Sequence, residues 1–109
     1  MSRYFLDQAD CSRHQIFPGV EIHTAAGQQL MLSIVDFAPH SVVETHSHPH
    51  EQMGWLLAGE LTFTVGEETQ LVKAGQMWRI PGGVPHRVVA GSQPARALDV
   101  FHPVREDYR

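Results

Sequence analysis

One cysteine, Cys11, is all the thiol chemistry available to these 109 residues. A single thiol excludes an internal disulfide framework and fits a reducing compartment, although a bridge to another chain stays open. Long apolar runs are missing as well. No segment approaches the roughly 20 apolar residues that span a bilayer, and Met1–Asp10 lacks the apolar stretch of a secretory signal. These absences predict a cytoplasmic protein with no membrane segment. Basic clusters are also missing: the formal charge is −4 and the Lys and Arg residues are scattered. That excludes the electrostatic footprint of a nucleic-acid or anionic-membrane binder. Finally, apolar residues nowhere recur at helical spacing over three turns, and no block repeats at a fixed period, so neither a helical domain nor a solenoid is supported.

What is present is a set of short alternating segments, with 42% hydrophobic residues in a chain long enough for one domain. Residues 1–17 carry no clean period and read as an arm or an edge strand, ahead of a single barrel domain over 18–109. Pro18-Gly19 marks a turn. Val20 and Ile22 alternate with Glu21 and His23. Residues 29–37 read as a strand apolar on both faces, which predicts cover from the barrel interior on one side and from a second sheet or subunit on the other. Further strands are expected over 42–48, 53–57, 61–65, 69–73, 76–80, 84–90 and 95–101, with turn signals about every 8 to 12 residues. The fold class is therefore all-β, a small sandwich or barrel.

Eight histidines stand out, and three of them fall within His46-Ser47-His48-Pro49-His50. On a strand, His46 and His48 point to one face. If the chain reverses through Pro49, His50 and Glu51, Gln52 comes back beside His48. His50 then sits at the turn tip, facing solvent or the rim. A further ligand must come from elsewhere in the chain, and His86, after Pro85, is the best candidate. His14, His23, His40 and His102 read as surface or core histidines. Imidazole suits Zn, Cu, Fe and Ni, and an amide oxygen widens the choice to Mn, so a divalent ion of open identity is expected at His46, His48, His86 and Gln52. The other reading of Gln52 is a hydrogen bond to a ligand histidine, with Glu51 or water in its place. Trp55, Trp78 and Phe63 read as core or pocket wall.

These residues resemble the cupins, small jelly-roll barrels (double-stranded β-helices). In the motif G-x5-H-x-H-x3,4-E-x6-G, His46, His48 and Gln52 fall on the ligand positions and Gly59 on the closing glycine. In G-x5-P-x-G-x2-H-x3-N, the matches are Gly75, Pro81, Gly83 and His86. His40 replaces the opening glycine, Gln52 the glutamate and Ala90 the asparagine. The ending from Leu98 to Tyr108 is similar to the D-x-F-x-P-x-R-E-D-Y ending of KdgF-type pectin-degradation cupins, as is the run from His46 to Gln52. That resemblance implies ring opening of 4,5-unsaturated monouronates to the linear 5-keto-4-deoxyuronate, with Asp99, Phe101 and Arg105 lining the pocket as catalytic and substrate-holding residues. Asp99 would move a proton, and Arg105 would hold the carboxylate of a small anionic sugar acid. A redox dioxygenase and a non-enzymatic ligand-binding barrel remain as alternatives. The doubly apolar strand and the N-terminal segment predict a homodimer.

Overall fold

The computed structural model describes residues 3–109, so the first two residues of the expected arm lie outside the described residues. Ten strands form: β1 (Ser12–Phe17), β2 (Val20–Ala26), β3 (Met31–Phe37), β4 (Val42–His46), β5 (Glu51–Ala58), β6 (Glu60–Val65), β7 (Glu68–Lys73), β8 (Met77–Ile80), β9 (His86–Ala90) and β10 (Ala95–His102). The described residues contain no α-helix. Single 3-10 turns occur at Gln8–Asp10 and Glu106–Tyr108. Among the described residues, no helix is long and apolar enough to cross a membrane.

The strands make two antiparallel sheets. One has the order β1-β2-β3-β10-β5-β8 and the other β4-β9-β6-β7. Alternation decides what lies between them. In β10, Ala95, Ala97, Asp99 and Phe101 are buried while Arg96, Leu98 and Val100 are not. In β5, Gln52, Gly54 and Leu56 turn inward. Of these, Leu56, Ala95 and Ala97 join Val20, Ile22, Val35, Phe37, Leu61 and Ile80 in the inter-sheet core. A smaller cluster of Met31, Phe101 and Val104, with Tyr108 against it, lies where the C-terminal segment folds back.

β1 is the edge of the larger sheet, hydrogen-bonded to β2 from Ser12↔Thr24 to Phe17↔Val20. The C-terminal segment is tied to this edge, because His14 Nε2 and the Thr24 hydroxyl both donate to the Tyr108 carbonyl. β3 is buried on one side only in the single chain: Met31, Ser33, Val35 and Phe37 face the core, and Leu32 faces outward, half exposed. Trp55 departs from the expected core or pocket-wall position. The inward face of β5 is set by Gln52 and Leu56, so the pleat carries Trp55 outward. The turn after the first histidine also differs from the simple hairpin. β4 belongs to the smaller sheet and β5 to the larger, so residues 47–50 cross between sheets rather than joining hydrogen-bonded neighbours.

Candidate metal centre

His46 is the last residue of β4 and His86 the first of β9, and the two are register partners across the smaller sheet. Their ring centroids are 4.3 Å apart. His48 lies beyond the strand end, so the turn rather than strand alternation brings its ring to 4.9 Å from that of His86. One potential ligand atom from each of the three lies within 4.8 Å of the others. Gln52, on the opposing sheet, places Oε1 3.0 Å from His48 Nε2.

The backbone fixes which nitrogen faces inward. Nδ1 of His46 is 2.9 Å from the Glu44 carbonyl, Nδ1 of His48 is 3.0 Å from that of His50, and Nδ1 of His86 is 2.9 Å from that of Val84. A carbonyl only accepts, so each Nδ1 carries the hydrogen and each Nε2 keeps its lone pair. The result is three imidazole lone pairs and an amide oxygen converging with no donor among them. His86 Nε2 is buried and has no hydrogen-bond partner at all. Such a set is unfavourable empty and well matched to a cation, and its neutral N3O donors suit a first-row divalent ion. Burial pushes the His86 imidazole down to about 4, with protonation further opposed by His46, His48 and Arg105. His48 is lowered too, by burial first and then by Arg105. Low proton affinity keeps both rings ready to ligate at neutral pH.

His50 stays outside this group. Its carbonyl orients His48, its ring packs edge-on to the His48 ring at 5.6 Å, and it is partly buried at the rim. His102 is exposed on the outward side of β10.

Asp99, Phe101 and Arg105 all line the same inter-sheet cavity as His46, His86 and Gln52, a space of about 40 Å³. Asp99 is buried. Burial pushes its carboxyl up to about 6, against hydrogen bonds from Gln52 and Trp78 and the charge of Arg105. Trp78 Nε1 donates to Asp99 Oδ1 at 2.9 Å. Arg105 is buried rather than waving in the charged tail, with only 8% of its surface exposed. Asp107 holds it from the side, through Nε at 3.3 Å and Nη2 at 2.9 Å. Its guanidinium carbon lies 3.8 Å from the Tyr108 ring centroid and 5.2 Å from that of Phe101. Phe101 in turn meets the His48 ring edge-on at 5.7 Å.

Two participants escaped the sequence reading. Tyr108 lines the cavity beneath Arg105, and only the family-like ending drew attention to that segment. Gly54 faces Asp99 on β10 and Trp78 on β8. A Cβ there would lie 2.3 Å from Asp99 Oδ1 and 2.2 Å from Trp78 Nε1. Its single hydrogen is what lets the indole reach the carboxylate across β5. An isolated glycine inside a strand pattern was the available signal.

The family model of the cupin domain matches residues 33–101, more than half of the chain. The protein is a cupin. An H2HPP isomerase of Bacillus subtilis is 41% identical to this cupin over 59 residues, which is 53% of the chain and 24% of the relative. The chain thus spans about a quarter of that relative's length. Among solved structures, an RmlC-like cupin from Shewanella frigidimarina superposes with a TM-score of 0.89 at 24% identity, covering 99% of this cupin and 97% of the other. KdgF from Halomonas sp. superposes with a TM-score of 0.85 at 24% identity, covering 98% of each. At these identities the structures show a shared fold.

Proposed function

We propose that this cupin is a metal-dependent isomerase that opens 4,5-unsaturated monouronates, of the kind released from pectin or alginate, to the linear 5-keto-4-deoxyuronate. The observation that carries the reading is the convergence, on one cavity, of two imidazoles of the triad, His46 and His86, with a buried carboxyl and a buried guanidinium. The similarity of the Leu98–Tyr108 segment to the ending of uronate-opening cupins supports it. The Bacillus subtilis relative is named an isomerase, which favours moving a proton over inserting oxygen.

His46, His48, His86 and Gln52 would hold the divalent ion, a Lewis acid for the substrate's oxygens. The ion is one of Zn, Ni, Mn, Fe or Cu. Asp107 occupies one edge of Arg105, so the remaining guanidinium edge is left to take the uronate carboxylate. Phe101 offers a ring face to the sugar. Asp99 takes the proton from the hydroxyl on the anomeric carbon. As that carbon becomes a carbonyl, its bond to the ring oxygen breaks and leaves an enolate. Asp99 then returns a proton to the enolate carbon, giving the ketone. Atoms and electrons balance without oxidant or water. A carboxyl raised to about 6 is suited to both halves of this transfer near neutral pH. The free thiol of Cys11 fits a reducing cytoplasm as the setting.

The test is loss of the enol-ether ultraviolet absorbance of an unsaturated monouronate. Wild-type protein should remove it, EDTA should stop the reaction, and added metal should restore it. Asp99→Asn at saturating metal should lose turnover about a hundredfold or more, and Arg105→Lys should raise KM. Unchanged absorbance with metal-loaded protein would count against the reading, and oxygen uptake in its place would move the chemistry to a dioxygenase.

The protein works as a homodimer through the outer face of the larger sheet. Leu32, Met53, Trp55 and Met77 lie there exposed, with Leu98 and Val100 between them.

A further inference from the structure

Gln52 has two chemically opposite ends, and the site can use only one of them. The lone pairs of the imidazoles demand that Oε1 face a shared ion. Turned over, the amide would point its NH2 group there and lose the ligand. At Gln52 this choice is made from the β10 side. Gln52 is the register partner of Phe101, and Gly54 that of Asp99, so Asp99 lies diagonal to Gln52 on the inward face, within reach of a long side chain. With Oε1 at 3.0 Å from His48 Nε2, the amide nitrogen is left for the Asp99 side, where the Gln52 amide favours the charged carboxylate. The flipped amide would set Oε1 against a carboxylate, acceptor on acceptor.

Asp99 is itself immobilised. Trp78 Nε1 donates to it from β8 across the gap left by Gly54, so both donors reach it along the sheet. We propose that Asp99 is a positioning residue for the metal centre: held by Trp78 through the notch at Gly54, it fixes the Gln52 amide with its oxygen toward His46, His48 and His86. The inference rests on the reading of those residues as metal ligands and deepens it. It also gives a physical reason for the amide at 52, where the resembled motif has glutamate. Glutamate has no hydrogen to give Asp99 and would place one carboxylate against another.

Orientation can be separated from simple charge by a double-mutant cycle read on metal affinity, with no substrate present. Zn²⁺ affinity is measured by competition with a chromophoric chelator for wild type, Gln52→Ala, Asp99→Asn and the double variant. Co²⁺ ligand-field spectra are recorded for the same four. If Asp99 acts by aiming Gln52, Asp99→Asn should weaken Zn²⁺ about tenfold in the wild-type background, have little effect in Gln52→Ala, and give a Co²⁺ spectrum like that of Gln52→Ala. If Asp99 merely attracts the cation through space, its loss costs the same in both backgrounds, and the proposal is overturned while the metal site stands. Wild type that takes up neither ion overturns the metal reading and this inference together. Trp78→Phe keeps the packing ring and removes only the indole N–H. It should weaken Zn²⁺ severalfold without touching a ligand, so unchanged affinity in folded Trp78→Phe also overturns the proposal.

Discussion

Two buried titratable groups pull the stability of the metal-free protein in opposite directions as pH falls. His86 in the folded chain resists protonation down to about 4, whereas in the unfolded chain an imidazole takes its proton near its ordinary value of about 6.5. Between those values the unfolded state binds more protons, so this residue makes the fold less stable as pH drops through the window. Asp99 behaves inversely. Its carboxyl takes a proton at about 6 when folded but only near about 3.9 when unfolded, so its contribution favours the fold as pH drops from 6 to 4. The two slopes offset each other in the wild type. Removing one should expose the other: in EDTA, thermal midpoints of Asp99→Asn should fall more steeply from pH 6.5 to 4.5 than those of wild type. His86→Gln should show the shallower or reversed slope. Parallel curves for all three proteins would mean that neither group is held as the structure places it.

At the level of elements, the turns show how closely sequence and backbone agree. Gly59, Gly75 and Gly83, picked out by the two motifs, all take positive φ, at 81°, 92° and 83°. At Gly59 the need is also spatial, since a Cβ would come within 2.5 Å of the Pro94 carbonyl oxygen. His40 occupies the motif's opening glycine position and still adopts φ 62°, the one described non-glycine residue in that region. Its amide donates to the Gly91 carbonyl at 2.8 Å, which ties the turn before β4 to the end of β9. A Cβ in the left-handed region costs about 1 kcal/mol, so His40→Gly should stabilise the protein by up to about that amount, measured by urea unfolding, and leave Zn²⁺ affinity unchanged. Destabilisation would show that the His40 side chain contributes more than its backbone strain removes. The same comparison explains what the sequence made legible. Alternation announced the strands, because every buried face is contributed by every second residue. Histidine and glycine spacing announced the ligands, because the turns that carry them are short and demand particular residues. Contacts across three strands were not legible. The Trp78–Asp99 bond passes over Gly54 from β8 to β10, joining residues 21 positions apart through one that has no side chain. The seat of Arg105 on Tyr108 depends on how the segment after β10 folds back onto His14 and Thr24, and local pattern does not encode that return. Trp55 was misplaced because two of the three inward residues of β5, Gln52 and Gly54, are polar or small, which weakens the apolar alternation that would have marked the true core face.

The whole molecule has one surface that a lone chain does not explain. The inner faces of both sheets are buried against each other, and the smaller sheet presents Thr62, Thr64, Thr69 and Lys73 outward, with Leu71 alone among its large apolar residues half exposed there. The outer face of the larger sheet is different: Leu32, Met53, Trp55 and Leu57 are close to half exposed, and Met77 is 70% exposed. Of those side chains, Met53, Trp55 and Met77, with Leu30 at the edge, line one apolar groove on that face, the kind of exposed patch that marks an interaction surface. Glu51 and Arg79 lie exposed beside Met53, an acid and a base at the rim, so a second copy related by a two-fold axis can set each against its opposite. An acid and a base on one rim would favour a copy of the same chain as the partner. The protein should therefore sediment as a dimer at micromolar concentration, and Trp55→Lys should make it a monomer. Because Trp55 points away from the cavity, the monomeric variant should bind Zn²⁺ with wild-type affinity. A wild type that sediments as a monomer would reassign this face to another protein. A dimer that survives Trp55→Lys would place the contact elsewhere, with the exposed edges of β1 and β8 as the next surfaces to test.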